Sequence, residues 1–171
     1  AEERKTGTIE NLMTLPVSMA QAVVGKFLAA WAFAGIALLL TFPAVQTVNQ
    51  LGDPDNGVIL TGYIGSFLIA GAYLAIGACV SAISKNQVIS FVLTIMICFF
   101  FILLGLPPVI AFFSSWAPDM IVDTISSFGF LARFESITKG VVDMRDLLFF
   151  VSLIVFALFA NAVVIDQRKA V

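Results

Sequence analysis

Apolar residues in this chain come in long runs, parted by short stretches where charged and turn-forming residues gather. A helix needs about 20 apolar residues to cross a bilayer. Four runs approach or exceed that length: about Phe27 to Val48, Val58 to Ile83, Val88 to Leu106 and Leu147 to Ile165. The pattern predicts an all-α, polytopic transmembrane helical bundle. Pro43 is expected to kink the first span near its far end, because its ring removes one helical hydrogen bond and clashes with the preceding turn. The stretch 50–57, with Asp53, Pro54, Asp55 and Gly57, reads as a tight turn, and so does Ser84-Lys85-Asn86-Gln87. Pro107 and Pro108 stop the third span, whose all-round hydrophobicity marks it as largely lipid-facing.

Two stretches break the pattern. In residues 1–26, Thr8 is placed to cap a short helix whose Ile9, Leu12 and Met13 form one apolar stripe, opposite Glu10, Asn11 and Thr14. Pro16 ends it, and Ser18 with Gln21 has the spacing of a capping box for the helix that follows. Such a segment is expected to lie at a membrane surface and meet a partner outside it. Residues 107–146 are too polar to span and too apolar for a solvated loop. Trp116 suits the headgroup layer, and Met120, Ile121, Val122 and Ile125 form an apolar patch between Asp119 and Asp123. Phe128, Leu131 and Phe134 fall near one face of a second piece, with Arg133, Glu135 and Lys139 elsewhere. Short helices lying in the outer interface are expected here, acting either as an external gate or as a cap that shields the bundle.

The second span carries two small-residue stripes, Gly62, Ser66 and Ala70, and Gly71, Ala75 and Cys79. Lipid offers no hydrophobic drive for helix association, so close backbone approach must supply the contact, and these residues are candidates for helix packing. Chance enrichment in a segment rich in Gly and Ala is the competing reading.

Composition agrees with a membrane protein: 60% of residues are hydrophobic, mean hydropathy is +1.05 and only 12% are charged, against about 25% in soluble domains. Charge distribution sets the orientation. Arg4, Lys5, Lys26, Lys85, Arg168 and Lys169 share one side, and Arg133, Lys139 and Arg145 the other, which places both termini in the cytoplasm. Catalysis finds little support. The chain has no His, no Gly-x-x-x-x-Gly-Lys-Ser/Thr phosphate loop and no Cys-x-x-Cys, so no metal site and no nucleotide site is expected. Cys79 and Cys98 read as small hydrophobes. Asp143 and Asp146, flanking Arg145, read as a solvated helix start in which Asp146 caps the last span. No charged residue falls in the middle of a span, which weighs against proton or ion coupling.

Several motifs carry a resemblance: Glu2 through Glu10, Leu15-Pro16-Val17-Ser18, Gly25-Lys26-Phe27, Leu51-Gly52-Asp53-Pro54-Asp55, Gly62-Tyr63-Ile64-Gly65, Ser84-Lys85-Asn86-Gln87, and Phe134-Glu135 with Gly140 through Asp146. With these the chain resembles type-2 ABC transporter permeases. The likeness is closest to the branch of gliding-motility-associated and copper-maturation permeases. The resemblance implies a non-catalytic transmembrane subunit that pairs with a second permease, identical or not, and with two cytosolic ABC ATPase subunits. ATP and Mg would sit on those partners, with no cofactor on this chain and no nucleic acid involved. Glu2, Glu3, Arg4, Gly7, Thr8, Ile9 and Glu10 would form the coupling helix. The expected layout is a coupling region and span entry at 1–26, three spans over 27–106, an outer interfacial segment at 107–146, the last span at 147–165 and a cytoplasmic tail at 166–171. The location implied is a bacterial inner membrane, and the activity most often export. Permeases of this kind have six spans and the likeness begins before the third, so residue 1 is expected not to be the natural start. A non-transporting membrane scaffold is the alternative function.

Overall fold

The computed structural model describes Thr14 and residues 18–167. Among the described residues the regular structure is entirely helical. The helices are α1 (Met19–Leu39), α2 (Phe42–Leu51), α3 (Asn56–Ile83), α4 (Gln87–Leu103), α5 (Pro107–Ser114), α6 (Asp119–Ser127), α7 (Phe130–Thr138) and α8 (Met144–Gln167).

Their boundaries follow from local chemistry. Ser18 and Gln21 exchange side-chain and backbone bonds as a capping box and start α1. The Asp55 carboxylate accepts from the N–H groups of Gly57 and Val58 and starts α3, and Asn86 accepts from Val88 N–H to start α4. Pro43 sits in the first turn of α2, and the helix breaks just before it, at Leu40 and Thr41. The expected kink is thus an interruption, and α1 runs over 19–39, rather more than two turns earlier than the stretch 27–48 at each end.

Three segments are long and apolar enough to cross a membrane: Ala20–Leu51, Asn56–Ile83 and Met144–Gln167. The third expected span differs from its prediction. It ends at Leu103 and turns by 68° into α5, so 88–106 is not one straight helix. Pro107 is the physical reason, since it forces Leu106 out of the helical region and into extended backbone at ψ 134°. At 17 residues α4 is about 26 Å long, short of the roughly 30 Å hydrocarbon core. A backbone break at that depth must be covered by protein. Gly129 provides the cover: Gly105, at the break, is buried, and a Cβ on Gly129 would come 2.4 Å from its Cα.

α3 is the central helix. α1 runs antiparallel to it, with Trp31 against Gly71 and Thr41 joined to Tyr63. α4 is also antiparallel, with Thr94 against Gly77, and α8 runs parallel, with Ile154 against Gly71. α7 lies beside the first half of α3, where Ile137 and Phe134 meet Gly65. The core is built from Leu68, Ala72, Ala75, Ile76 and Val80 of α3, Phe27 of α1, Phe130 and Ile137 of α7, and Phe150, Ile154 and Ala157 of α8. One end of the bundle, the hairpin end, carries the α2–α3 connection and the start of α8, and the other carries the Ser84–Asn86 turn.

Candidate functional site

The densest chemistry outside the apolar core lies where α7 enters the bundle at the hairpin end. Its inward stripe is Phe130, Arg133, Phe134 and Ile137, at the i, i+3, i+4, i+7 spacing of one helix face. Phe130 is fully buried. It stacks on Phe101 of α4 at 4.9 Å and meets Tyr73 of α3 at 5.6 Å and Phe150 of α8 at 5.7 Å between ring centroids. Such aromatic pairs are worth about 0.5–1.5 kcal/mol each beyond area burial. Phe130 therefore joins three membrane helices at one point.

One turn along, the Arg133 guanidinium does the same with polar contacts. Its Nη1 donates to Asp146 Oδ1 of α8 at 2.7 Å, and its Nε donates to the Ser127 carbonyl, at the end of α6, at 2.6 Å. Its central carbon stands 4.2 Å from the centroid of the Phe149 ring, a cation–π arrangement. The two charged side chains are only 19% and 10% exposed. Removing one partner of such a sheltered pair costs about 3–5 kcal/mol, because the other charge is left uncompensated.

Asp146 therefore does not cap the last span. Asp143 stands at that position: its carboxylate accepts from Arg145 N–H at 3.0 Å and its carbonyl accepts from Asp146 and Leu147. Asp146 lies one helical turn on and faces inward. It heads the buried stripe of α8, Asp146, Phe150, Ile154, Ala157 and Asn161. Asn161 closes that stripe about 22 Å further along, with its buried Oδ1 unpaired among the described residues. Nor is Arg133 turned away from the bundle, as a face centred on Phe128, Leu131 and Phe134 implied. Phe128 is exposed, and the buried face is shifted to Phe130 and Ile137. The signal available in the sequence was Arg133 thirteen positions before Asp146, on helical faces whose apolar partners are Phe130 and Phe150.

The residues singled out for helix packing occupy different surroundings. Gly71 is buried, and a Cβ there would stand 2.8 Å from the Trp31 indole and 3.1 Å from Ile154. Trp31 stacks on Phe67 at 4.5 Å and its Nε1 donates to the Phe67 carbonyl at 2.8 Å, tying α1 to α3. Ala75 is fully buried. Ser66 and Ala70 are half-buried, and nothing approaches a Cβ on Gly62 within 4 Å. Gly35, Gly65 and Gly129, which the stripes did not include, are also close-approach positions. Glu2, Glu3, Arg4, Gly7, Thr8, Ile9 and Glu10 lie outside the described residues. Among the described residues no three His, Cys, Asp or Glu side chains are grouped to hold a metal ion.

The site is thus suited to holding helices together: its sheltered Asp146 carboxylate is paired with the Arg133 guanidinium. No curated protein and no solved structure shows a match to this chain. The family model of the ABC-2 family transporter protein matches residues 1–126 of the 171, from the first residue into α6, and this helical membrane chain belongs to that family.

Proposed function

We propose that the chain is the permease subunit of an ATP-driven exporter, passing the work of a partner ATPase to cargo or force across the membrane. The observation that carries this reading is the family match, which takes in residues 1–26 together with the helices up to α6. Glu2 to Glu10 are the residues we assign to the ATPase joint. Two ATPase subunits and a second permease complete the assembly, in the inner membrane of a bacterium. α1 supports a mechanical link, since it continues from Ser18 into the bundle and is bound to α3 through Trp31. Motion at its start is passed to the central helix. At the hairpin end, α5, α6 and α7 form the external gate, and the sheltered Arg133–Asp146 pair favours a gate over a passive cap.

The test is affinity purification of the full-length protein in mild detergent, with identification of its partners and an ATPase assay. An ABC ATPase is expected to co-purify and to be lost when Glu3→Lys and Glu10→Lys are combined. A preparation that yields no ATPase would sink the exporter reading and leave the membrane scaffold.

A further inference from the structure

α7 is tied to the rest of the protein in an uneven way. Its apolar side chains, Phe130 and Ile137, are fully buried, yet inside a bilayer apolar burial gives little drive, because lipid tails solvate a Phe ring about as well as a helix does. Its charged side chain behaves differently. Arg133 and Asp146 neutralise each other in a sheltered site, and each is costly there without its partner. The pair can part only if water reaches it. The two ends of α7 differ: Gly129 at its start is an extended N-cap packed tightly on Gly105, whereas Gly140 beyond its far end has φ +86°, the left-handed region that disfavours side chains. Val141 and Val142, both exposed, lead from Gly140 to α8 in irregular backbone.

From this we propose that α7 is a removable plug and that the Arg133–Asp146 pair is its latch, releasing when water enters the seam between α7 and α8. The inference rests on the permease reading above and specifies which residues hold the gate shut. Release swings α7 about its Gly129 end, which stays packed on Gly105 and keeps the break after α4 covered, and turns Phe130 out of the ring cluster to uncover Phe101 and the α4 face below it. Cys98 is on that face, one turn below Phe101 and half-buried against the core. It is a native reporter for the plug. Cys79, on α3 well toward the other end of the bundle, reports general loosening.

The experiment measures how fast a membrane-impermeant cationic thiosulfonate, applied from the hairpin side, modifies each cysteine in the full-length protein in native membranes. Cys98 is read in a Cys79→Ser background and Cys79 in a Cys98→Ser background. We expect Arg133→Gln and Asp146→Asn each to raise the Cys98 rate about tenfold or more while the Cys79 rate stays level. The exchange Arg133→Asp with Asp146→Arg should bring the Cys98 rate back toward wild type. Unchanged Cys98 rates in both single variants overturn the latch. A parallel rise at both cysteines also overturns it, since the pair is then a general brace. No ATPase enters this readout, so its failure leaves the permease assignment standing, and failure of the co-purification leaves the latch measurement interpretable.

Discussion

At the scale of single residues, the contrast between two glycines of α3 is the sharpest. Gly71 admits the Trp31 indole, which needs that space to place its N–H on the Phe67 carbonyl. A larger side chain must push a rigid bicyclic ring, and overpacking of this kind costs about 1–3 kcal/mol. Gly62 has open space and sits in a helix interior, where Ala is favoured over Gly by about 1 kcal/mol. Gly71→Val is therefore expected to lower the thermal midpoint of the detergent-solubilised protein by several degrees, and Gly62→Ala to leave it level or raise it. Equal effects would show that the indole contact does not hold α1. Both glycines were visible as small residues in an apolar run, but a sequence does not say which stripe meets an aromatic ring. The charged residues were harder to read. Asp143 and Asp146 are each a plausible cap by type and spacing, and the choice between them depends on Arg133, which arrives from another helix. A cap needs only local neighbours, whereas an ion pair between helices needs the fold.

At the scale of elements, the interruption between α1 and α2 has a mechanical reading. α1 alone is 21 residues, about 32 Å, which already matches the hydrocarbon core. α2 then carries Gln46, Thr47, Asn49 and Gln50 and belongs closer to water. Two polar contacts hold it to α3. Thr41 donates to the Leu38 carbonyl while the Tyr63 hydroxyl bonds to its Oγ1, and Asn49 and Asn56 exchange a reciprocal pair of amide bonds at 3.0 and 3.1 Å. Tyr63→Phe keeps the ring and removes the first contact. The expected result is faster amide hydrogen exchange across α2 in lipid nanodiscs, with α3 beyond Tyr63 unchanged. Exchange that is the same as wild type would mean that Asn49 and Asn56 fix α2 unaided. Pro43 announced the break, since its effect is local. The bend after α4 was readable in part from Pro107, but its depth was not, because that depends on Gly105 finding Gly129 across the fold.

At the scale of the whole molecule, the charges carried at the two ends of the bundle set the orientation that is expected of it and that remains to be tested. Among the described residues the turn end holds Lys85, with Lys26 brought toward it by α1, and the hairpin end holds Arg133, Lys139 and Arg145 beside the exposed Asp53, Asp55, Asp119 and Asp123. The expected orientation rests on adding Arg4, Lys5, Arg168 and Lys169, which lie outside the described residues. Short loops rich in Lys and Arg stay in the cytoplasm, and acidic residues contribute little to that choice. The gate reading depends on the same polarity, since α7 is an external plug only if the hairpin end is outside. Two exposed positions with no role in capping allow a direct test: Asp53 precedes the cap residue Asp55, and Lys85 precedes the cap residue Asn86. With Cys79 and Cys98 both changed to Ser, Asp53→Cys is expected to react with an impermeant maleimide on intact cells. Lys85→Cys should react only after the membrane is opened. The reverse pattern would put Arg133 and Asp146 on the cytoplasmic side and make α7 part of the ATPase-facing machinery, which would remove the external gate while leaving the family membership untouched.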